Sequence, residues 1–230
     1  MSAVSIRGIS KRFGRKKQIF EDFSLDLPSG RIIGLLGENG IGKTTLLKMI
    51  ADLAKPYKGE ILIDSLPISR NTRDKVSFLL EPENFEDFMT VGHAIDHHSD
   101  FFPDFNLAKA EEMASSFGLD KRDKITKLSK GQKARVCLML CLSRSVPLYL
   151  LDEPMSGFDP KFKRDMVASI LSYVEEGQTL VISSHLLRDL ETVFDDIVIL
   201  LHNEAVVASA DDIRAQGKSI EEFYLEVVDR

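Results

Sequence analysis

Residues Arg31 to Thr45 read RIIGLLGENGIGKTT. An apolar run (Ile32, Ile33, Leu35, Leu36) leads into a glycine-rich loop and then into a helical stretch, Thr45 to Ala51. Gly37, Gly42, Lys43 and Thr44 fit the pattern G-x-x-x-x-G-K-[ST], and strand, loop and helix occur in the order that pattern requires. Glycines let the backbone wrap closely around phosphates, so that successive N–H groups and a helix N-terminus point at negative charge. Lys43 is expected to reach the β- and γ-phosphates of a nucleoside triphosphate, and the Thr44 hydroxyl to ligand a bridging Mg²⁺. Glu38, Asn39, Gly40 and Ile41 inside the loop, and Thr45 after it, complete the expected nucleotide contacts.

The bulk numbers limit what surrounds this loop. A chain of 230 residues with 43% hydrophobic content holds an α/β unit with a sizeable core and is not generally disordered. Its net charge of -6 argues against a surface that is one large nucleic-acid footprint, and no nucleic-acid partner is expected. The N-terminus MSAVSIRGIS has no apolar signal core. The longest apolar run, VCLMLCL at 136–142, is too short to span a membrane and is flanked by Arg135 and Arg144. The chain is therefore expected to be soluble by itself, with any membrane role exerted through a partner. Cys137 and Cys141, four residues apart on one helix face, read as core packing in a reducing compartment. His93 and His97 share that spacing but lack the intervening Glu and a third ligand of a zinc site, and read as a solvated face.

In chain order, VSIRGIS and FEDFSLDL alternate apolar and polar residues as short β segments, separated by the basic run KRFGRKK, which reads as a solvated loop. Phe13 in that run is placed to fold over and stack on a purine base. After the loop helix come two strands, GEILID and KVSFLL, the second ending at Glu81. From 84 to 145 strand signals fade, and helix-like runs appear at VGHAIDHHSD, LAKAEEMASSFG and GQKARVCLMLCLSR. LYLL at 148–151 is a buried strand that ends in Asp152 and Glu153, at the edge where α/β sheets bind ligands. One acid there can hold Mg²⁺ and the next can orient or deprotonate water. A helix from Pro160 to about Glu175, the strand Gln178 to Ser183, another helix, the hairpin DIVILLHNEAVVA and a C-terminal helix SIEEFYLEVV complete the chain.

LSKGQ at 128–132 resembles the LSGGQ signature of ATP-binding-cassette (ABC) ATPases, and with it the other motifs fall into that family's order. Phe13 resembles the adenine-stacking aromatic, GENGIGKT the phosphate loop, and Glu81 stands at the glutamine-loop position. LYLLDE is similar to the second carboxylate motif, SGFD to the dimer-facing loop and SSH to the switch histidine, His185. The resemblance implies one nucleotide-binding domain over residues 1–230. It has an α/β P-loop NTPase (RecA-like) core with an antiparallel β subdomain, at about 1–81 and 146–230, and an inserted α-helical subdomain at about 82–145. It also implies a head-to-tail dimer, of identical chains or close paralogues, with two ATP molecules between them. Ser129, Gly131 and Gln132 would contact ATP in trans and Asp159 would cross the interface. Glu153 would be general base or water-positioner, with Lys43 and His185 as further catalytic groups, and Thr44, Glu81 and Asp152 as Mg²⁺ ligands. Two residues depart from the family pattern. Lys130 replaces a signature glycine, which puts an extra cation near the partner's phosphates or leaves it in solvent; Glu81 replaces the glutamine.

Glu81, the short helical section and the ending KSIEEFYL resemble the exporter branch that handles drugs, antimicrobial peptides or lipids. Sugar importers of the family usually carry an added C-terminal domain, for which this length leaves no room. The resemblance thus implies an ATPase on the cytoplasmic face of the cell membrane, bound to a separately encoded transmembrane subunit. The rival reading is a soluble single-cassette ATPase, such as one serving iron-sulfur cluster assembly.

Overall fold

The computed structural model describes residues 2–14, 17–69, 72, 74–79, 85–184 and 191–229. Two sheets sandwich a helix, and a helical lobe extends from the far side of the larger sheet. That sheet has six strands: β3 (Ile32–Leu36), β6 (Val76–Phe78), β7 (Leu148–Asp152), β8 (Thr179–Ser183), β9 (Asp196–Leu200) and β10 (Ala205–Ser209). Their order is β10-β9-β3-β8-β7-β6, parallel except for the β9–β10 hairpin. Strands β3, β7, β8 and β9 are almost continuously buried, as a parallel sheet covered on both faces requires.

The period-two alternation of side chains sorts these strands into two cores. Ile33, Leu35, Leu148, Leu150, Val181 and Val198 face the smaller sheet, where they pack with Leu46, Leu47 and Phe20. Tyr149, Leu151, Leu180, Ile182, Ile197 and Ile199 face the helices. Gly34 sits where a Cβ would come within 2.9 Å of the buried Phe194 ring, so a glycine there lets strand and ring close up.

The smaller sheet is antiparallel, in the order β2-β1-β4-β5, from β1 (Ser2–Phe13), β2 (Lys17–Pro28), β4 (Lys58–Ile63) and β5 (Leu66–Pro67). The expected short β segments are in fact two 12-residue strands. Basic residues did not stop them, because Lys11 and Arg12 still pair with Phe20 and Gln18 across the hairpin. Helix α1 (Lys43–Ile50) lies between the sheets, with Leu46, Leu47, Met49 and Ile50 buried.

The lobe comprises α2 (Val91–Phe101), α3 (Leu107–Ser116), a 3-10 turn (Ile125–Lys127) and α4 (Lys130–Leu142). Every residue of α4 from Val136 to Leu142 is buried, which explains its apolar run without a membrane: a helix apolar all round belongs in a core. Cys137 and Cys141 are free and buried there. Arg144 fastens lobe to core: its Nη2 and Nε bond Asp104 at 2.6 and 2.9 Å, and its Nη1 donates to the Val76 carbonyl at 2.7 Å. Helices α5 (Pro160–Tyr173), α6 (Ala210–Ala215) and α7 (Ile220–Val228) complete the fold; α6 had no counterpart in the sequence reading. Of the helix expected after His185, residues 185–190 lie outside the described residues. No helix among the described residues is long and apolar enough to cross a membrane.

Candidate functional site

Sheet register brings the first group of candidate residues together. Leu35 and Asp152 both pair with Ser183, so the C-terminal ends of β3, β7 and β8 meet at one edge. The phosphate loop leaves β3 there, and the two carboxylates end β7.

Within the loop, Gly42 caps α1 with φ 123°, and no side chain caps the helix. All other described α-helices carry a side-chain N-cap: Thr90, Asn106, Ser129, Asp159, Ser209 and Ser219. The first-turn N–H groups of α1 are therefore left for another acceptor, which is the chemistry of a phosphate site. A Cβ on Gly42 would stand 2.8 Å from Ile19 Cγ2 and Phe20 Cζ, so only glycine holds this turn against β2. Lys43 is buried, 6% exposed. Its Nζ donates to the carbonyls of Gly37 at 2.7 Å and Glu38 at 3.2 Å, which hold it along the inside of the loop. Burial lowers its pKa, and the nearby Glu153 and Asp152 carboxylates oppose that shift. Glu38, Asn39, Gly40 and Thr44 are exposed along the rim, with Ile41 and Thr45 half-buried.

The acid pair rests on a residue that sequence reasoning missed. Ser183, fully buried, donates from Oγ to Asp152 Oδ1 at 2.6 Å. The Glu153 amide donates to Ser183 Oγ at 2.9 Å and to its carbonyl at 3.2 Å. Glu153 takes a left-handed φ of 46°, a conformation costly for a side-chain-bearing residue and concentrated at functional sites. The only signal in the sequence was the position of Ser183 two residues before His185, which has meaning once β7 and β8 are in register.

An Mg²⁺ ion fits the donor chemistry here, since hydroxyl and carboxylate oxygens suit a hard cation. Among the described residues no group of three or more His, Cys, Asp or Glu gathers around a metal position. The ion would thus draw its remaining ligands from phosphate and water, its usual mode beside nucleotides. Glu81 and His185, and the side chain of Phe13, lie outside the described residues.

The second group stands at the start of α4. Ser129 is its N-cap and forms a capping box: its Oγ accepts from the Gln132 amide at 3.3 Å, and Gln132 Oε1 accepts from the Ser129 amide at 3.1 Å. Gly131 lies against α5, where a Cβ would meet Phe162 Cε2 at 2.9 Å. Asp159 caps α5 by accepting from the amides of Lys161 and Phe162 at 3.0 and 3.1 Å, and these bonds, Phe162 first, lower its pKa. Lys130 is exposed at the first position of α4, and its Nζ lies 4.8 Å from the centroid of the Phe158 ring, whose face offers an ammonium a nearby electrostatic partner.

A family model described as ABC transporter matches residues 20–156. The chain is similar to the ABC transporter ATP-binding protein YtrB of Bacillus subtilis (strain 168), 30% identical over 93% of this chain and 74% of that protein. It is also similar to the Nod factor export ATP-binding protein I of Burkholderia orbicola (strain AU 1054), 28% identical over 91% of this chain and 71% of the relative. A solved structure titled as the ATP binding subunit of an ABC transporter superposes with a TM-score of 0.82 at 24% identity, covering 99% of this chain and all of that one.

Proposed function

This chain belongs to the ABC transporter family and is an ATPase of it; we propose that it powers a membrane exporter, working as a head-to-tail dimer that encloses two ATP molecules. The observation that carries the nucleotide reading is the uncapped start of α1, with Lys43 buried beside Asp152 and Glu153.

In this reading the α1 amides and Lys43 bind the phosphates, and Phe13 stacks on the adenine. Glu153, aimed by its left-handed backbone and Ser183, orients and deprotonates the attacking water. His185 bridges Glu153 and the γ-phosphate. Thr44, Asp152 and Glu81 would hold Mg²⁺, which when bound would supply charge neutralisation to the phosphates. Ser129, Gly131 and Gln132 of the second chain close the site, and Asp159 crosses to it.

Support for export comes from the exporter-like residues at the glutamine position and C-terminus, and from the export protein among the relatives. Docking to a separately encoded transmembrane subunit is supported by a cleft of about 340 Å³ where the lobe meets the core. Leu53, His98, Phe101 and Phe102 line it, and Phe101 and Leu53 are 69% and 64% exposed at its rim. Large apolar side chains left that open suit an apolar helix of a membrane protein. That docking would place the chain at the membrane, and the family resemblance implies its cytoplasmic face.

Glu153→Gln tests the assignment. ATP binding should persist, turnover should fall by about 10²–10³-fold, the usual cost of losing one preorganised catalytic contact, and an ATP-bound dimer should appear on gel filtration. Near-normal turnover would remove Glu153 from its role. For coupling, the protein isolated from its native cell should co-purify with an integral membrane protein; a wholly soluble pool without one overturns the exporter.

A further inference from the structure

The α4–α5 contact contains an arrangement that no motif requires. Phe158 and Phe162 stack with ring centroids 4.2 Å apart. Helix α4 sets a cation on each: Lys130 Nζ lies 4.8 Å from the Phe158 centroid and the Arg135 guanidinium 5.3 Å from that of Phe162. Gly131 fits between them because its missing Cβ leaves room for the Phe162 edge. At the same point a Cβ on Gly157, whose φ is +73°, would stand 2.8 Å from Lys130 Nζ. The lysine therefore reaches across to the loop 156–159 and lies against its tip. It does so from the first residue of α4, where the helix dipole disfavours a cation, and the ring face offsets that placement.

We propose that Lys130 is a positioning residue: its cation–π contact with Phe158 locks the signature helix and the dimer-facing loop of one chain into a single rigid element that docks on the partner as a unit. This rests on the dimer reading above. Ser129 at the start of α4 and Asp159 at the end of the loop are the groups that reading sends to the partner. A chain in which they move independently must order each separately on closing, and a chain in which they are clamped orders both in one step. The clamp acts on closure, so it leaves the affinity of a single chain for ATP unchanged.

The experiment is a double-mutant cycle in the Glu153→Gln background. It reads the ATP concentration for half-maximal dimer by light scattering, and ATP affinity of the dilute monomer with a fluorescent ATP analogue. Lys130→Met and Phe158→Leu should each raise that ATP concentration about two- to fivefold, the range of an exposed cation–π contact. The double variant should be no worse than either single one, Lys130→Arg should behave as the parent, and monomer affinity should not move. In the otherwise wild-type chain Lys130→Met should lower kcat at saturating ATP in the dilute regime, where dimer formation limits turnover. Losses that multiply in the double variant, or a Lys130→Met chain that dimerises like its parent, would overturn the clamp. If the Glu153→Gln parent itself forms no dimer with ATP, the dimer reading fails first and takes this inference with it.

Discussion

In the proposed dimer the starts of α1 and α4 are assigned to the phosphates of one nucleotide from two different chains, and they are built in opposite ways. Gly42 gives α1 no cap, so its first amides wait for an acceptor, while a buried lysine is already held along the loop. Ser129 and Gln132 give α4 a reciprocal cap, so its end is satisfied before anything arrives. An uncapped helix end is costly unless filled, whereas a capped end must exchange one partner for another. In the proposed dimer the first end is thus a preformed binding site within one chain. The second is a latch that can open only in return for contacts with a second chain.

The largest effect should come from emptying the preformed end. Lys43→Met keeps much of the apolar stem and removes the ammonium. ATP affinity should fall by about 100-fold, as expected of a charge-assisted contact worth about 3 kcal/mol, in titration with a fluorescent analogue; near-normal affinity would contradict the cradle. Next comes Gly42→Ala, which sets a Cβ against Ile19 and the buried Phe20 at a left-handed φ. It should cost about 1–3 kcal/mol of stability, read as a melting temperature lowered by several degrees, and weaken ATP binding as well. Ser183→Ala should be milder. It removes the hydroxyl that holds Asp152 and shares the Glu153 amide, but the Ser183 carbonyl still accepts from that amide. Turnover should fall about tenfold, the worth of roughly one hydrogen bond, with ATP affinity nearly unchanged; a Ser183→Ala chain that cannot bind ATP would show that the serine supports the loop itself.

What could be read from the sequence follows the same divide. The strand, loop and helix from Arg31 to Thr45 were legible because everything that builds them is local: apolar residues, then glycines, then a helix former. The acids ending β7 were legible for the same reason. Ser183 was not, since its role comes from the pairing of β7 with β8, and register between strands 30 residues apart leaves no local mark. The sequence marks Lys130 as a departure set near phosphates or in solvent, but not its contact with Phe158, because the ring lies on a different element. The long hairpin was underestimated for another reason. Charge at Lys11 and Arg12 reads as loop, yet Lys11 Nζ donates to the Lys55 carbonyl at 2.6 Å and the Arg12 guanidinium lies 5.1 Å from the Tyr57 ring centroid, so both charges find partners from within the strand.

The smallest expected effect is also the most direct test of the contrast between the two helix ends. Ser129→Ala removes the side-chain acceptor of the Gln132 amide and should cost about 1 kcal/mol of stability, or roughly 2–4 °C in melting temperature for a chain of this size. ATP should still raise the melting temperature of this variant in dilute solution by as much as it raises that of the unaltered chain. Ligand stabilisation depends only on free ATP and its affinity for the folded state, and at low concentration that affinity belongs to the α1 end alone. The Lys43→Met chain should show almost no such rise. If ATP fails to stabilise dilute Ser129→Ala, then the start of α4 contributes to the site within its own chain, and the latch is not a separate device. If the rise is preserved while ATP-driven dimerisation weakens, the two ends are separable: one binds and the other closes.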